Sequence, residues 1–125
     1  GGVGSARGLA RLYAATLGYI GDPIAPPDTF ADMGQMHVRG RDLVLDIPLS
    51  FGVVFMKPHA DMPFGSFRAY GHDGAGGAIA FADPAHGLSF GYIPTRMTIP
   101  GGVDARAIEL SSLARVAAGR ARRPR

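Results

Sequence analysis

The residues of this chain best suited to chemistry lie in one run, Gly71-His72-Asp73-Gly74-Ala75-Gly76-Gly77. The imidazole of His72, with an unperturbed pKa of about 6.5, could hydrogen-bond a substrate or help set the protonation of a base near neutral pH. Gly74, Gly76 and Gly77 remove side chains that would keep a substrate from lying along the backbone. A backbone N–H held rigidly at a sheet edge can stabilise the oxyanion of an acyl-transfer intermediate. Taken alone, such a run reads more readily as a glycine-rich turn carrying a structural histidine, so the surrounding elements decide its meaning.

Those elements are legible from spacing. Ser5 can cap a helix reaching about Leu17, with Leu9, Leu12, Tyr13, Thr16 and Leu17 at helical intervals. A second short helix is predicted from about Pro27, with Phe30, Met33 and His37 on one face, although Gly34 weakens it. Residues 38–47 read as a polar connection with a short apolar patch, 51–56 as a strand, and 57–65 as a Pro- and Gly-containing loop. Residues 68–74, 77–82 and 88–95 are predicted strands, with Asp83-Pro84-Ala85-His86-Gly87 as the turn between the last two. Ile79 and Phe81 alternate with Ala78, Ala80 and Ala82, which predicts one bulky sheet face and one small face with something packed closely on it. Asp104 can cap a last helix to about Ala118, whose buried stripe is read as Ala107, Leu110, Leu113, Ala114 and Ala117. The expected fold class is α/β or α+β, an antiparallel sheet flanked by helices. Residues 1–119 form one segment, and 120–125 a basic tail expected to be disordered.

With that hairpin and helix behind it, His72-Asp73-Gly74 resembles the third active-site motif of the serine β-lactamases, penicillin-binding proteins and related esterases, Lys-Thr-Gly or His-x-Gly. The likeness is strongest to the β-lactamase-related esterases, which often place His at that position; Asp73, where Thr or Ser is commoner in β-lactamases, points the same way. The resemblance extends more loosely from the first helix to the end of the chain. It implies a C-terminal portion of a β-lactamase/transpeptidase-like fold, with His72, Asp73, Gly74 and Ala75 on the wall of the catalytic cleft and the Ala75 N–H as oxyanion donor. It further implies that Gly76 and Gly77 border the substrate, and that the loop with Met56, His59, Met62 and Phe64 shapes access to it. The substrate would be a small ester or amide, and no metal or organic cofactor is implied.

The rest of the family's machinery is missing here. The nucleophile motif is Ser-x-x-Lys, whose Lys lowers the cost of deprotonating the Ser. Lys57 is the only lysine and Val54 stands three residues before it. The second motif, Tyr-x-Asn or Ser-x-Asn, needs an Asn, and the sequence has none. The resemblance therefore implies that this polypeptide alone is inactive and that its partner is an N-terminal segment of the same fold carrying the nucleophile. That segment would also supply two strands beside residues 88–95, an edge otherwise open to aggregation. The rival reading is an inactive binding or scaffold module of the same fold.

Composition narrows the remaining classes. The 125 residues suffice for one core, and Cys is absent, which excludes disulfides and thiolate metal sites and fits a reducing compartment such as the cytoplasm. The net charge of +3 belongs to the end of the chain: five Arg follow from position 115, and without them eight basic residues face ten acidic ones. No aromatic side chain is interleaved with those arginines, so a nucleic-acid platform is not expected. No apolar run approaches the ~18–20 residues of a membrane span. The chain opens Gly-Gly-Val-Gly-Ser without Met or a signal-peptide pattern, as if within a longer protein. His37, His59, His72 and His86 share no metal-ligand spacing. Gly2, Gly4 and Gly8 lack the preceding strand that a dinucleotide-binding loop requires.

Overall fold

Close packing on the small sheet face organises the molecule. In the computed structural model, which describes residues 2–97 and 102–121, the chain runs α1 (Ala6–Thr16), α2 (Pro27–Met33), β1 (Val38–Arg41), β2 (Pro48–Phe51), β3 (Tyr70–Asp73), β4 (Ile79–Asp83), β5 (Leu88–Tyr92) and α3 (Ala105–Ala121). Strands β3, β4 and β5 form an antiparallel sheet in that order. α1 lies on β4 and β5. A Cβ on Gly91 would sit 3.1 Å from the Ala10 nitrogen and 3.3 Å from the Ala6 carbonyl carbon, with the Ala6 oxygen closer still. Tyr13, Tyr70, Ala80 and Ala82 are buried together on this face, with Leu9 and Leu17 of α1 against them. The expected small face is thus present, and α1 is what packs there.

The opposite face carries the bulk. Ile79 and Phe81 are almost fully buried with Met62, Phe64 and Ala107, and Phe90 packs beside them. Phe81 touches both Phe64 and Phe90 at centroid distances of 5.3 Å. Burying each of Ile79, Phe81 and Phe64 stabilises the fold by roughly 1.5–3 kcal/mol. Ser5 caps α1 as expected, accepting from the Gly8 N–H at 3.0 Å.

Several expectations need correction. Residues 38–41 and 48–51 form a β-hairpin rather than a polar connection, with Val38 opposite Phe51 and Arg41 opposite Pro48. Its tip is set by Asp42, whose Oδ1 accepts from the N–H groups of Val44 and Leu45 at 2.9 and 2.8 Å. The predicted strand over 51–56 is in fact a reversal: Gly52 N–H donates to the Phe55 carbonyl at 2.8 Å, and Val54 takes a positive φ of 71°. That turn drops Phe55 onto Tyr70, with centroids 4.9 Å apart, and pairs Met56 with Gly71, which couples the β1–β2 ribbon to β3.

α2 stops at Met33, so His37 does not share its face. Gly34 is its C-cap, and the Tyr70 ring leaves no room there for a side chain, a Cβ lying 2.7 Å from Tyr70 Cδ1. The stripe of α3 is rotated by about one residue: Ala107 and Ser111 are buried, while Leu110 and Leu113 are exposed. Ile108 packs against the core beside Ala107. α3 also continues through Gly119 to Ala121, into the start of the expected tail; residues 122–125 lie outside the described residues.

Candidate active site

β3 ends in the glycine-rich run that contains His72 and Asp73. Its register places Gly71 opposite Phe81, His72 opposite Ala80 and Asp73 opposite Ile79. Gly71 exchanges hydrogen bonds with Met56 on the side away from β4, at 2.7 and 3.1 Å. Alternation along an extended strand turns the backbone groups of Asp73 to that same outer side. Beyond Asp73 the chain leaves the strand earlier than expected and closes a tight turn: Gly74 N–H donates to Ala78 O, and Gly77 N–H to Gly74 O, both at 2.9 Å. Gly77 adopts a φ of 96°, a conformation that side chains resist. This is the one glycine of the run whose conformation demands the residue type. A Cβ on Gly74 or Gly76 would meet neighbours only at ordinary contact distance.

His72 is open to solvent, with 55% of its side chain exposed. Its ring lies 6.2 Å from that of Phe51. Nδ1 is 2.6 Å from the Asp73 carbonyl oxygen. A carbonyl only accepts, so Nδ1 is the donor in this contact. Ala75, at the exposed tip of the turn, is held by the two hydrogen bonds that close it rather than by an extended strand. Asp73 is half-buried, with a carboxylate oxygen 3.8 Å from His72 Nδ1. The exposed imidazole of His72 and the exposed turn at Ala75 thus follow one another at the end of β3, and residues 71–77 contain no Ser, Thr, Cys or Lys that could serve as nucleophile.

The other sequence candidates fall elsewhere. Phe64 has no exposed surface and Met62 and Met56 are buried in the core, so these three pack the fold and present nothing to a ligand. The reason is the bulky sheet face, which needs their volume beneath Phe81 and Ala107. His59 lines a small concavity of about 120 Å³ with Ser50 and Asp61. A second concavity, a groove of about 650 Å³, lies between α2 and the residues around Lys57. Neither includes His72, Asp73 or Ala75.

Spacing did not reveal a buried charged cluster. Asp83, fully buried, accepts from Ser66 Oγ at 2.7 Å, Ser66 N–H at 2.8 Å, Ala85 N–H at 3.2 Å and His86 Nδ1 at 2.9 Å. Burial works against its charge, but the hydrogen bonds from Ser66 and His86 outweigh it and hold the carboxyl below its ordinary value. Lys57, 4% exposed, donates to the Ala69 carbonyl at 2.5 Å. Burial pushes its pKa down, and the Asp83 charge partly restores it. The signal available was the lone Lys inside the apolar stretch Phe55-Met56-Lys57-Pro58. Ser66, Asp83 and His86 are not a hydrolytic triad, since the carboxylate stands between the other two.

Among the described residues no group of three or more His, Cys, Asp or Glu could hold a metal, and no helix is long and apolar enough to cross a membrane.

Comparison with known proteins gives a consistent direction. The chain is 31% identical over 105 residues to the esterase/beta-lactamase LipL of Mycobacterium tuberculosis, a match covering 79% of this chain and 23% of that protein. Its structure is similar to a penicillin-binding protein homolog from Caulobacter crescentus, with a TM-score of 0.77 and 33% identity over 89% of this chain and 32% of the other. A family VIII carboxylesterase gives a TM-score of 0.77 with 27% identity over 88% of this chain and 31% of its own. No protein-family model matches. The chain thus spans about a quarter to a third of these relatives. On these likenesses the chain belongs to the serine β-lactamase and penicillin-binding-protein-like superfamily and corresponds to its C-terminal portion.

Proposed function

We propose that this chain is the C-terminal part of a serine hydrolase that cleaves carboxylic esters through an acyl-enzyme. The observation that carries the reading is the end of edge strand β3, where His72 and Ala75 are exposed beside half-buried Asp73 and Gly74, in a chain similar to an esterase/beta-lactamase and a carboxylesterase. In the complete enzyme a Ser from an upstream Ser-x-x-Lys attacks the ester carbonyl, its proton passing to the neighbouring base. The Ala75 N–H holds the oxyanion, a contribution worth about 10²–10³ in rate for one donor. His72 Nε2 accepts a hydrogen bond from the substrate or the base. Gly76 and Gly77 keep the turn low beside the bound acyl group. The reaction needs no metal or organic cofactor, and nucleic acid and membrane play no part. The partners are a small ester or amide substrate and the N-terminal segment of the same fold.

Two samples test this: the 125-residue chain alone, and the same chain extended by its in-frame upstream coding sequence. A fluorophosphonate probe should label a serine in the extended protein and none in the short chain. His72→Ala in the extended protein should lower kcat/KM for a p-nitrophenyl ester about 100-fold. Labelling of the short chain, or an extended protein neither labelled nor active, contradicts the proposal. The latter result favours an inactive binding module.

A further inference from the structure

The groove between α2 and the Lys57 region shares no residue with the His72 stretch. Its volume of about 650 Å³ falls within the range of small-molecule sites. Phe30, Ala31 and Phe67 give it apolar walls, and Phe67 is 84% exposed. Its charged side chains are cations only, Lys57 and Arg68, with no Asp or Glu in the lining. Lys57 is 4% exposed; among the described residues its ammonium donates to Ala69 O alone, and the charge of Asp83, which lies outside the lining, offsets part of the cost of its burial. Arg68 pairs with no carboxylate among the described residues. A groove with apolar walls whose lining carries an ammonium and an exposed guanidinium, and no carboxylate, suits an anion with an apolar body.

From this charge and shape we infer that the groove binds a medium-chain aliphatic carboxylate, its chain along Phe30, Ala31 and Phe67 and its head at Lys57 and Arg68. The inference does not depend on the hydrolase reading, because the groove is built wholly from this chain.

Decanoate titrated into the isotopically labelled 125-residue chain, followed by amide chemical shifts, tests it. Saturable shifts are expected at Leu17, Ala31, Lys57 and Tyr70. Decanol, with the same chain and no charge, should bind about tenfold more weakly, one charge-assisted contact being worth at least that factor. Arg68→Ala should weaken decanoate severalfold while leaving decanol unchanged, and Ala31→Trp should abolish both. Ala31 is exposed, so the fold tolerates that replacement, and a spectrum otherwise unchanged shows that it has. Shifts that fail to saturate, equal affinity for decanol, or shifts centred away from the groove overturn the inference. So does an unfolded amide spectrum for the chain.

Discussion

Asp83→Asn is the perturbation that most sharply tests how the loop before β3 is held. The four groups donating to this carboxylate divide between its two oxygens: Ser66 Oγ and Ala85 N–H to one, Ser66 N–H and His86 Nδ1 to the other. The Ser66 hydroxyl can rotate and His86 can change tautomer, but a backbone N–H cannot become an acceptor. Whichever way the Asn amide is placed, its NH₂ therefore faces the N–H of either Ser66 or Ala85. One such buried mismatch costs about 1–3 kcal/mol, and loss of the charge that supports Lys57 adds to it. Against a total stability of about 5–15 kcal/mol, the change should be large.

Urea unfolding followed by far-UV circular dichroism suits a chain without Trp. At pH 7 the midpoint of Asp83→Asn should fall with an unchanged slope. The dependence on pH has a definite sign. The folded carboxyl lies below its ordinary value of 3.8, so its contribution is complete above 3.8 and fades as pH falls through the lower folded value, the unfolded chain having taken up its proton first. The gap between native and variant should therefore shrink in acid. A variant within about 0.5 kcal/mol of the native chain at pH 7 would refute the reasoning, as would a gap that persists undiminished below the folded pKa.

Two further perturbations address α1 and its sheet face. Gly91→Ala should lift α1 from β5, because the obstructing atoms are backbone of Ala6 and Ala10; a loss of about 1–3 kcal/mol is expected in thermal unfolding, and an unshifted Tm contradicts it. Tyr13, whose pKa burial pushes up to about 12 with help from Tyr70, should give a late step in a phenolate titration that Tyr13→Phe removes. Because the folded form holds its proton longer, the stability this group contributes is complete below 10 and disappears as pH rises toward 12. Tyr13→Phe should therefore flatten the alkaline loss of stability, and an identical alkaline limb in the variant speaks against it.

What the sequence made legible follows physical lines. Alternation of Ile79 and Phe81 with alanines was readable because both faces of β4 are covered and the two coverings differ in thickness. The Ser5 cap was readable because capping is local. The β1–β2 ribbon was hidden because every residue of β1 is exposed, so no alternation marks it, and its turn carries Leu43-Val44-Leu45 where polar residues usually signal a reversal. The turn at Val54 was hidden for a related reason: a β-branched residue at positive φ contradicts local preference, and only the docking of Phe55 and Met56 explains it. For the site, His72 and its turn were visible as a motif. The burial of Met62 and Phe64 was not, since a loop rich in Pro and Gly gives no sign that it crosses the core.

The central claim is that this chain supplies one wall of a catalytic cleft whose nucleophile is encoded upstream. Sequencing the coding DNA before the codon for Gly1 tests it most directly. The account predicts an open reading frame containing Ser-x-x-Lys followed by a Tyr-x-Asn-like motif. An in-frame stop or a start codon immediately before Gly1, with neither motif between, would contradict it.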